Sequence, residues 1–373
     1  MFFKDIIGLE STKSILLSSR KNNHVAHAQL FLGRDGSANL ALAVAYATFL
    51  TCEDPQEDDA CGVCTSCIQS KKLTHPDIHF FYPTNKRKEG PERPLSVDFI
   101  TEWRTFVAQQ PFGNIQDWAS HIEIDNKQLI IPVVESKNII KSVSLQAFFA
   151  GYKVAIIWLP ESMNTECANA ILKVLEEPPK KTIFILVSSD HEKLLSTITS
   201  RCQTVYIPDF SSEEIKQYLT EKLSVSESEA VLYTQLSDGN LRNAIYQVEK
   251  EENIEFDYFI KWMRFCFERN IDEIVASLNY FQKLGREGIK EFLEQGLMTI
   301  RNSIQVAYNA EFLEKHPKSE HDFLQKFGKV IISKDATIIN KIFNDAYYHI
   351  ERNGNAKIIM MDTSIQIMTF IRK

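Results

Sequence analysis

Two continuous apolar runs constrain the fold of this chain most strongly. Residues 154–159 read VAIIWL and residues 183–187 read IFILV, and a helix-competent segment separates them. An apolar run without alternation is typical of a parallel strand that is covered on both faces. A shorter candidate strand at residues 30–32 precedes an Ala- and Leu-rich helix at residues 40–50. The pattern predicts an α/β domain built on a parallel sheet.

The sequence changes character after Pro208-Asp209-Phe210. Ser211 is followed three residues later by Glu214, a spacing that predicts a capping box at the start of a new helix. Short helical segments follow, and from about residue 253 the pattern is helical throughout. A chain of 373 residues is too long for one ordinary core. We therefore predict an α/β domain at residues 1–207, a small helical domain at 208–252 and a helical domain at 253–373.

Two irregular stretches interrupt the α/β pattern. Residues 83–94 carry the basic cluster Lys86-Arg87-Lys88 and are predicted to form a loop, which either contacts DNA or is simply solvated. Residues 121–136 contain two apolar segments around Asp125-Asn126 and are interpreted as a possible β-hairpin.

Composition and charge exclude several classes of protein. The chain has 44% hydrophobic and 24% charged residues, as a globular protein does, and its net charge is −7. An acidic surface does not attract a polyanion by itself, so any work on DNA is expected inside an assembly. No apolar run approaches the ~18 residues that cross a bilayer, and Met1-Phe2-Phe3-Lys4-Asp5 does not resemble a secretory signal. We expect a cytoplasmic protein without a membrane partner.

Four of the seven cysteines form a cluster with metal-ligand spacing. They are Cys52, Cys61, Cys64 and Cys67. Four thiolates suit a tetrahedral Zn²⁺ ion, and with every position filled by protein the metal would be structural. Reduced, unliganded cysteines and an iron–sulfur cluster are the alternatives.

The segment after the first strand has the context of a phosphate-binding loop but not its chemistry. It begins with Gly33 and Gly36, yet Ala38, Asn39 and Leu40 stand where a Walker A loop has glycine, lysine and a hydroxyl residue. Trp158 and Leu159 stand where an NTPase has an acidic pair. Either the domain never had a phosphate site or it descends from a nucleotide-binding fold that has lost hydrolysis; weak, non-hydrolytic binding stays open.

Several longer motifs carry a family resemblance. They are HVAHAQLFLG at 24–33, the strand region 151–164, ANAILKVLEEPP at 168–179, LSTITSRCQ at 195–203 and GNLR at 239–242. This series, together with the cysteine cluster, resembles the AAA+ clamp-loader family, in particular subunits of the bacterial DNA polymerase III clamp loader. The match covers roughly residues 1–245, and the C-terminal third agrees in being helical.

The resemblance implies roles for two arginines. Arg201, with Ser200 before it, corresponds to the arginine finger that reaches the ATP of a neighbouring subunit; the alternative is a structural arginine that pairs with a local carboxylate. Arg242 corresponds to the sensor-2 arginine, which serves a subunit's own nucleotide. Because this chain is expected to bind no ATP, a structural role for Arg242 is favoured.

The resemblance also implies an assembly. Residues 208–252 would be a lid and residues 253–373 a collar that joins a hetero-pentamer with the ATPase subunits and a delta-type subunit. That assembly would place the sliding clamp on primer–template DNA, with this chain as a non-hydrolysing, stator-type member of the polymerase holoenzyme.

Other interpretations remain at this point. The chain could be an ATP-hydrolysing or clamp-gripping clamp-loader subunit, or a zinc-containing DNA-binding protein that acts alone. Glu176-Glu177 could form a paired-carboxylate active site, although a helix end with solvated charges is favoured.

Overall fold

A computed structural model describes residues 1–87, 91–124, 127–149, 151–249, 254–309, 312–313 and 318–372. The chain divides into two compact units. The first unit comprises Met1–Ile124 and Gln128–Gln247, and most of the second is Val248–Lys373. Residues 208–247 thus belong to the same compact unit as the α/β part of the chain.

A five-stranded parallel sheet forms the centre of the first unit, with the strand order β2-β3-β4-β1-β5. The strands are β1 Ala28–Leu32, β2 Ile78–Phe81, β3 Lys153–Trp158, β4 Thr182–Ser188 and β5 Gln203–Tyr206. Every residue of β3 and β4 is buried, as expected for strands covered on both faces. The structure confirms the predicted parallel α/β sheet and the strands at 30–32 and 183–187. It confirms the strand predicted at 154–159 as far as Trp158, because Leu159 has a left-handed backbone conformation (φ 55°).

Helices cover the sheet and connect its strands. They are α1 Glu10–Lys21, α2 Asn39–Thr51, α3 Thr65–Lys71, α4 Ile100–Gln109, α5 Ile115–His121, α6 Val133–Ser144, α7 Thr165–Glu176 and α8 Ser196–Thr199. Helix α2, predicted from its Ala- and Leu-rich sequence, is almost wholly buried. One face of the sheet packs on α6 and α7, whose Ile139, Val143, Ile171 and Leu175 contribute to the same apolar core as β1, β3 and β4.

The β-hairpin predicted at residues 121–136 is wrong for the described residues, while Asp125 and Asn126 lie outside them. His121 ends α5 and residue 133 begins α6. The physical reason is that the second apolar segment pairs elsewhere, because Ile130 bridges to Thr84 and Ile131 to Met163. The helix α5 before it starts at a capping box, in which Asn114 Oδ1 accepts from the amide of Asp117 at 3.2 Å and the Asp117 carboxylate accepts from the amide of Asn114 at 2.8 Å.

Residues 208–247 form three short helices, α9 Ser212–Leu223, α10 Glu227–Ser237 and α11 Leu241–Glu249. The predicted capping box is confirmed: Ser211 Oγ accepts from the amide of Glu214, and Glu214 Oε2 accepts from the amide of Ser211 at 2.7 Å. Gly239, with φ +82°, separates α10 from α11 because this left-handed conformation favours glycine.

The described part of the second unit is helical, as predicted. Its helices are α12 Ile254–Glu268, α13 Ile271–Tyr308, α14 Lys318–Ile332, α15 Ala336–Glu351 and α16 Ala356–Arg372. Gly285, with φ +70°, kinks α13. The core contains Phe259, Trp262, Phe292 and Phe343, all almost completely buried. In the described ranges, no helix has both the length and the apolar character needed to cross a membrane.

Candidate functional site

The four clustered cysteines converge as a metal site requires. The sulfur atoms of Cys52, Cys61, Cys64 and Cys67 all lie within 4.8 Å of one another, and those of Cys61 and Cys67 are 3.9 Å apart. Tetrahedral Zn–S bonds of ~2.3 Å place sulfur atoms about 3.8 Å apart. The amides of Cys61 and Cys64 donate to sulfur atoms of the cluster, which stabilises thiolates. The cluster could therefore hold a metal ion.

Side chains next to the cluster fix its position. The Asp59 carboxylate accepts from the amides of Phe3 and Lys4 at 3.2 and 3.0 Å, which ties the cluster to the N-terminus. His75 Nε2 lies 2.8 Å from Ser66 Oγ, and His75 Nδ1 accepts from the amide of Asp77 at 3.0 Å. Burial lowers the pKa of His75. Both ring nitrogens thus have protein partners, and His75 supports α3 without joining the four sulfur ligands.

The loop between β1 and α2 is closed by its own side chains. Asn39 Nδ2 donates to the carbonyls of Gly33 and Ser188 at 3.2 and 3.4 Å, and Asn39 Oδ1 accepts from the amide of Leu40 at 2.8 Å. Ala38 and Leu40 are buried, at 0% and 1% exposure. The donor at position 39 is therefore engaged with backbone oxygens, and the side chain at position 40 offers no ligand atom for a magnesium ion.

The two positions where an acidic pair was expected in an NTPase have apolar surroundings. Trp158 is buried against Trp103 and Phe106 of α4, with ring centroids 5.2 and 5.7 Å apart. Leu159 is 6% exposed.

The next residue with an acidic side chain is Glu161. Glu161 Oε1 accepts from the amide of Ser189 at 3.3 Å, and Glu161 Oε2 is a buried atom without a partner in the described part of the chain. Burial, with a smaller contribution from the charge of Asp35, raises the pKa of Glu161 to about 7.

The helical segment 208–247 is tied to this loop by polar contacts. Asn240 Nδ2 donates to the Asp35 carbonyl at 2.8 Å, and a Cβ on Gly36 would lie 1.9 Å from Asn240 Oδ1. The Arg34 guanidinium pairs with the Asp209 carboxylate at 2.5 Å. The loop and the GNLR motif are thus brought together.

Arg242, the residue in the sensor-2 position, makes a bidentate ion pair. Its Nε and Nη2 atoms donate to the two carboxylate oxygens of Asp117 at 2.5 and 2.7 Å. The two side chains are only 14% and 21% exposed. Asn114, which caps the same helix, has its side-chain amide 3.5 Å from the Asp35 carboxylate. A carboxylate of α5 therefore occupies two donors of the Arg242 guanidinium.

Arg201 lies apart from this loop, just beyond α8. Its Nε donates to Glu176 Oε2 at 3.1 Å, and its Nη1 donates to the Thr197 carbonyl at 3.0 Å. The Arg201 side chain is 32% exposed. Ser200 caps α8 and donates its hydroxyl to the same Thr197 carbonyl. Three of the five guanidinium N–H groups have no partner in the described ranges.

Lys86, Arg87 and Glu176 among the remaining charged candidates have local partners. Arg87 pairs with Glu102 at 2.8 Å and lies 4.4 Å from the ring centroid of Phe99, so it is packed onto the domain. Lys86 pairs with Glu92 at 3.3 Å, and Lys88 lies outside the described residues. Glu176 and Glu177 stand at the end of α7, where Glu176 binds Arg201. They are not arranged as a paired-carboxylate site.

Sequence reasoning missed Asp117, Asn114 and Glu176 as parts of these sites. The N-x-x-D spacing of Asn114 and Asp117 is a capping signal that could have been read locally. Neither pairing with a distant arginine has a sequence signal, because the partners are 125 and 25 residues apart.

Comparisons with known proteins identify a family and relatives of this chain. The sequence pattern of the family described as DNA polymerase III, delta subunit, matches residues 8–211. DNA polymerase III subunit delta′ of Pseudomonas aeruginosa is 30% identical over 206 residues, which cover 55% of this chain and 50% of that protein. The delta′ subunit of Escherichia coli is 26% identical over 227 residues, covering 60% and 55%. The delta′ subunit of Bacillus subtilis is 25% identical over 242 residues, covering 65% and 59%.

The chain spans about half the length of the first two of these relatives. The family pattern nevertheless covers more than half of the chain itself. The chain therefore belongs to the DNA polymerase III delta-subunit family, and its sequence is similar to those of delta′ subunits.

Proposed function

We propose that the chain is a non-hydrolysing, stator-type subunit of a DNA polymerase III clamp loader. In this proposal it supplies Arg201 to the nucleotide site of a neighbouring ATPase subunit. The observation that carries the proposal is the contrast between two sites. Donors around the chain's own loop are engaged internally, whereas Arg201 keeps three N–H groups without a partner in the described ranges.

The loss of hydrolysis is supported by the loop chemistry. An NTPase needs a lysine on the β- and γ-phosphates, a hydroxyl residue on Mg²⁺ and acidic residues beside them. At these positions the chain has Asn39, whose amide bridges two carbonyls, the buried Leu40, and Trp158 in an aromatic cluster. The negative charge of Asp35, which acts on Glu161 beside the loop, would repel phosphates that arrive without a metal.

The stator assignment is supported by the contacts of residues 208–247. In a nucleotide-binding relative, a sensor-2 arginine would couple the lid to bound ATP. Here Arg242 is paired with Asp117. Asn240 and Asp209 bind the loop between β1 and α2 directly. The lid is therefore held by side chains of the chain itself, and nucleotide is not needed to hold it.

The arginine-finger assignment rests on the chemistry of Arg201. A guanidinium offers a permanent charge and several fixed donors, which suit the oxygens of a transferring phosphoryl group. An arginine finger contributes ~10³–10⁵ in rate in well-studied NTPases. The pair with Glu176 also fits the alternative, a structural arginine, but it engages only one edge of the guanidinium.

The four cysteines are assigned to structural Zn²⁺. Cys52, Cys61, Cys64 and Cys67 would hold the ion, which would fix the turn around Gly62 and leave no open coordination position. The ion would stabilise the segment between α2 and α3 and take no part in a reaction.

The partners follow from the same proposal. The second unit would join the collar of a hetero-pentamer with the ATPase subunits and a delta-type subunit. The sliding clamp and primer–template DNA would be reached through that assembly, consistent with the acidic net charge of −7.

The test has two parts. First, the isolated chain is assayed for ATP turnover and for thermal stabilisation by ATP, and neither is expected. Second, cognate ATPase subunits are assayed with clamp and primed DNA, with either this chain or its Arg201→Ala form. Stimulation by the wild type and a loss of at least about tenfold with Arg201→Ala are expected. Turnover by the isolated chain, or equal rates with both forms, would contradict the proposal.

A further inference from the structure

We propose that Glu176 is the positioning residue of Arg201, and that it orients the guanidinium before the neighbouring subunit arrives. The inference rests on the proposed role of Arg201 and adds a second residue to that site. Glu176 itself touches no phosphate in this proposal.

Two contacts define the direction of the Arg201 side chain. Glu176 Oε2 accepts from Nε at 3.1 Å, and the Thr197 carbonyl accepts from Nη1 at 3.0 Å. Both acceptors belong to regular elements, the last residue of α7 and the short helix α8. A planar guanidinium held at two of its nitrogen atoms cannot rotate about its terminal bonds without breaking a hydrogen bond.

The backbone on either side of Arg201 is fixed by the core. Ile198 is 1% exposed and belongs to the apolar cluster beneath the sheet, and Cys202 packs against the same cluster. The Arg201 amide also donates to the Ile198 carbonyl at 3.0 Å. Thus only the side chain needs a further restraint, and Glu176 supplies it.

The location of Glu176 is unfavourable for local structure alone. A carboxylate at the C-terminus of a helix faces the negative end of the helix dipole, which is unfavourable. Two glutamates, Glu176 and Glu177, end α7 in this way, and Pro178 then stops the helix. A local rule broken in this way often marks a functional contact, and Arg201 is the contact that Glu176 makes.

The donors that remain suit an anionic ligand from outside. With Nε and one hydrogen of Nη1 engaged, the second hydrogen of Nη1 and both hydrogens of Nη2 are left. Two donors of one guanidinium can bind two oxygens of one phosphoryl group. Pre-orienting the guanidinium removes rotamer entropy that the Arg201 side chain would otherwise lose in the transition state.

The experiment compares four variants of the full chain in the assembled clamp loader, with clamp and primed DNA. They are Glu176→Ala, Glu176→Gln, Arg201→Ala and the double variant. Glu177→Ala is the matched control, because this neighbour is exposed and has no ion-pair partner among the described residues. The maximal ATPase rate and the chain concentration at half-maximal stimulation are both measured.

We expect Glu176→Ala to lower the maximal rate roughly three- to tenfold, with the half-maximal concentration unchanged, because orientation and not assembly is affected. Glu176→Gln keeps an acceptor oxygen for Nε and should stay within about twofold of wild type. In the Arg201→Ala background, Glu176→Ala should have no further effect. Glu177→Ala should match the wild type.

Three results would overturn the inference. Equal maximal ATPase rates for Glu176→Ala and Glu177→Ala would mean that the Arg201–Glu176 pair is a surface contact without effect on the reaction. A higher rate with Glu176→Ala would mean that the carboxylate competes with the phosphate for Arg201. An additional loss in the Arg201→Ala background would mean that Glu176 acts on the fold. If Arg201→Ala itself has no effect, the proposed function fails together with the inference; if only Glu176→Ala is silent, the proposed function stands alone.

Discussion

Breaking the ion pair between Arg242 and Asp117 should loosen the segment 208–247 and destabilise the first unit. The pair is bidentate, at 2.5 and 2.7 Å, and its side chains are only 14% and 21% exposed. Hydrogen bonds to charged groups contribute about 1.5–3 kcal/mol, and a lone buried charge costs more. We therefore expect Arg242→Ala to lower the free energy of unfolding by about 2–3 kcal/mol.

Asp117→Ala should cost slightly more, about 3 kcal/mol, because the same carboxylate also caps α5 through the amide of Asn114. The double variant should cost little more than either single one. The coupling energy between the two residues is then about 2 kcal/mol, which a double-mutant cycle measures directly.

The assay can be made specific for the first unit. The chain has four tryptophans, and Trp103, Trp118 and Trp158 lie in the first unit, whereas Trp262 lies in the second. In a Trp262→Phe background, urea unfolding followed by tryptophan fluorescence therefore reports on the first unit. The exposed pair of Lys216 and Glu227 in the same segment is the control, and its removal should leave the midpoint unchanged. A coupling energy below about 0.5 kcal/mol for Arg242 and Asp117 would refute the reasoning.

Three further predictions concern other parts of the molecule. Burial raises the pKa of Glu161 to about 7, so its folded state binds a proton that the unfolded state releases. The wild type should therefore lose about 2.5 kcal/mol of unfolding free energy between pH 5 and pH 8 that Glu161→Gln does not lose, and parallel pH curves would contradict this. Gly328→Ala would place a Cβ 2.1 Å from the Ser303 carbonyl oxygen and should destabilise the second unit by about 3 kcal/mol, as seen by Trp262 fluorescence. Gly288→Ala is the milder comparison, because its Cβ would come no closer than 3.1 Å to Leu284, and it should destabilise the second unit less. Cys64→Ser should remove one zinc per chain in elemental analysis and lower the unfolding temperature, while Cys202→Ser should keep the metal; an iron content would contradict the zinc assignment.

Periodicity and local signals predicted much of the fold. The apolar runs at 154–159 and 183–187 predicted β3 and β4. The prediction works because a strand that is buried on both faces is apolar at nearly every position. The Ser211–Glu214 box started α9 as predicted. The error at residues 121–136 arose because two apolar segments were interpreted as strands that pair with each other, whereas Ile130 bridges to Thr84 and Ile131 to Met163, which lie far away in the sequence.

The sites were less accessible to sequence reasoning. The cysteine spacing predicted convergence because the ligands lie close together in the chain, and the sulfur atoms do converge. Asn39 was interpreted only as a missing lysine, whereas its amide bridges Gly33 and Ser188, the latter 149 residues away. Contacts of this kind depend on how the sheet brings strand ends together, and no local pattern records them.

The most direct test of the central claim is the rate of ATP hydrolysis in the assembled clamp loader with wild-type chain and with Arg201→Lys. Lysine keeps the positive charge but lacks the planar fork of donors. We predict a loss of at least about tenfold with lysine, close to that of Arg201→Ala, and no ATP turnover by the isolated chain. Two results would contradict the account. One is a rate with Arg201→Lys equal to that of the wild type, and the other is a rate with Arg201→Ala equal to that of the wild type.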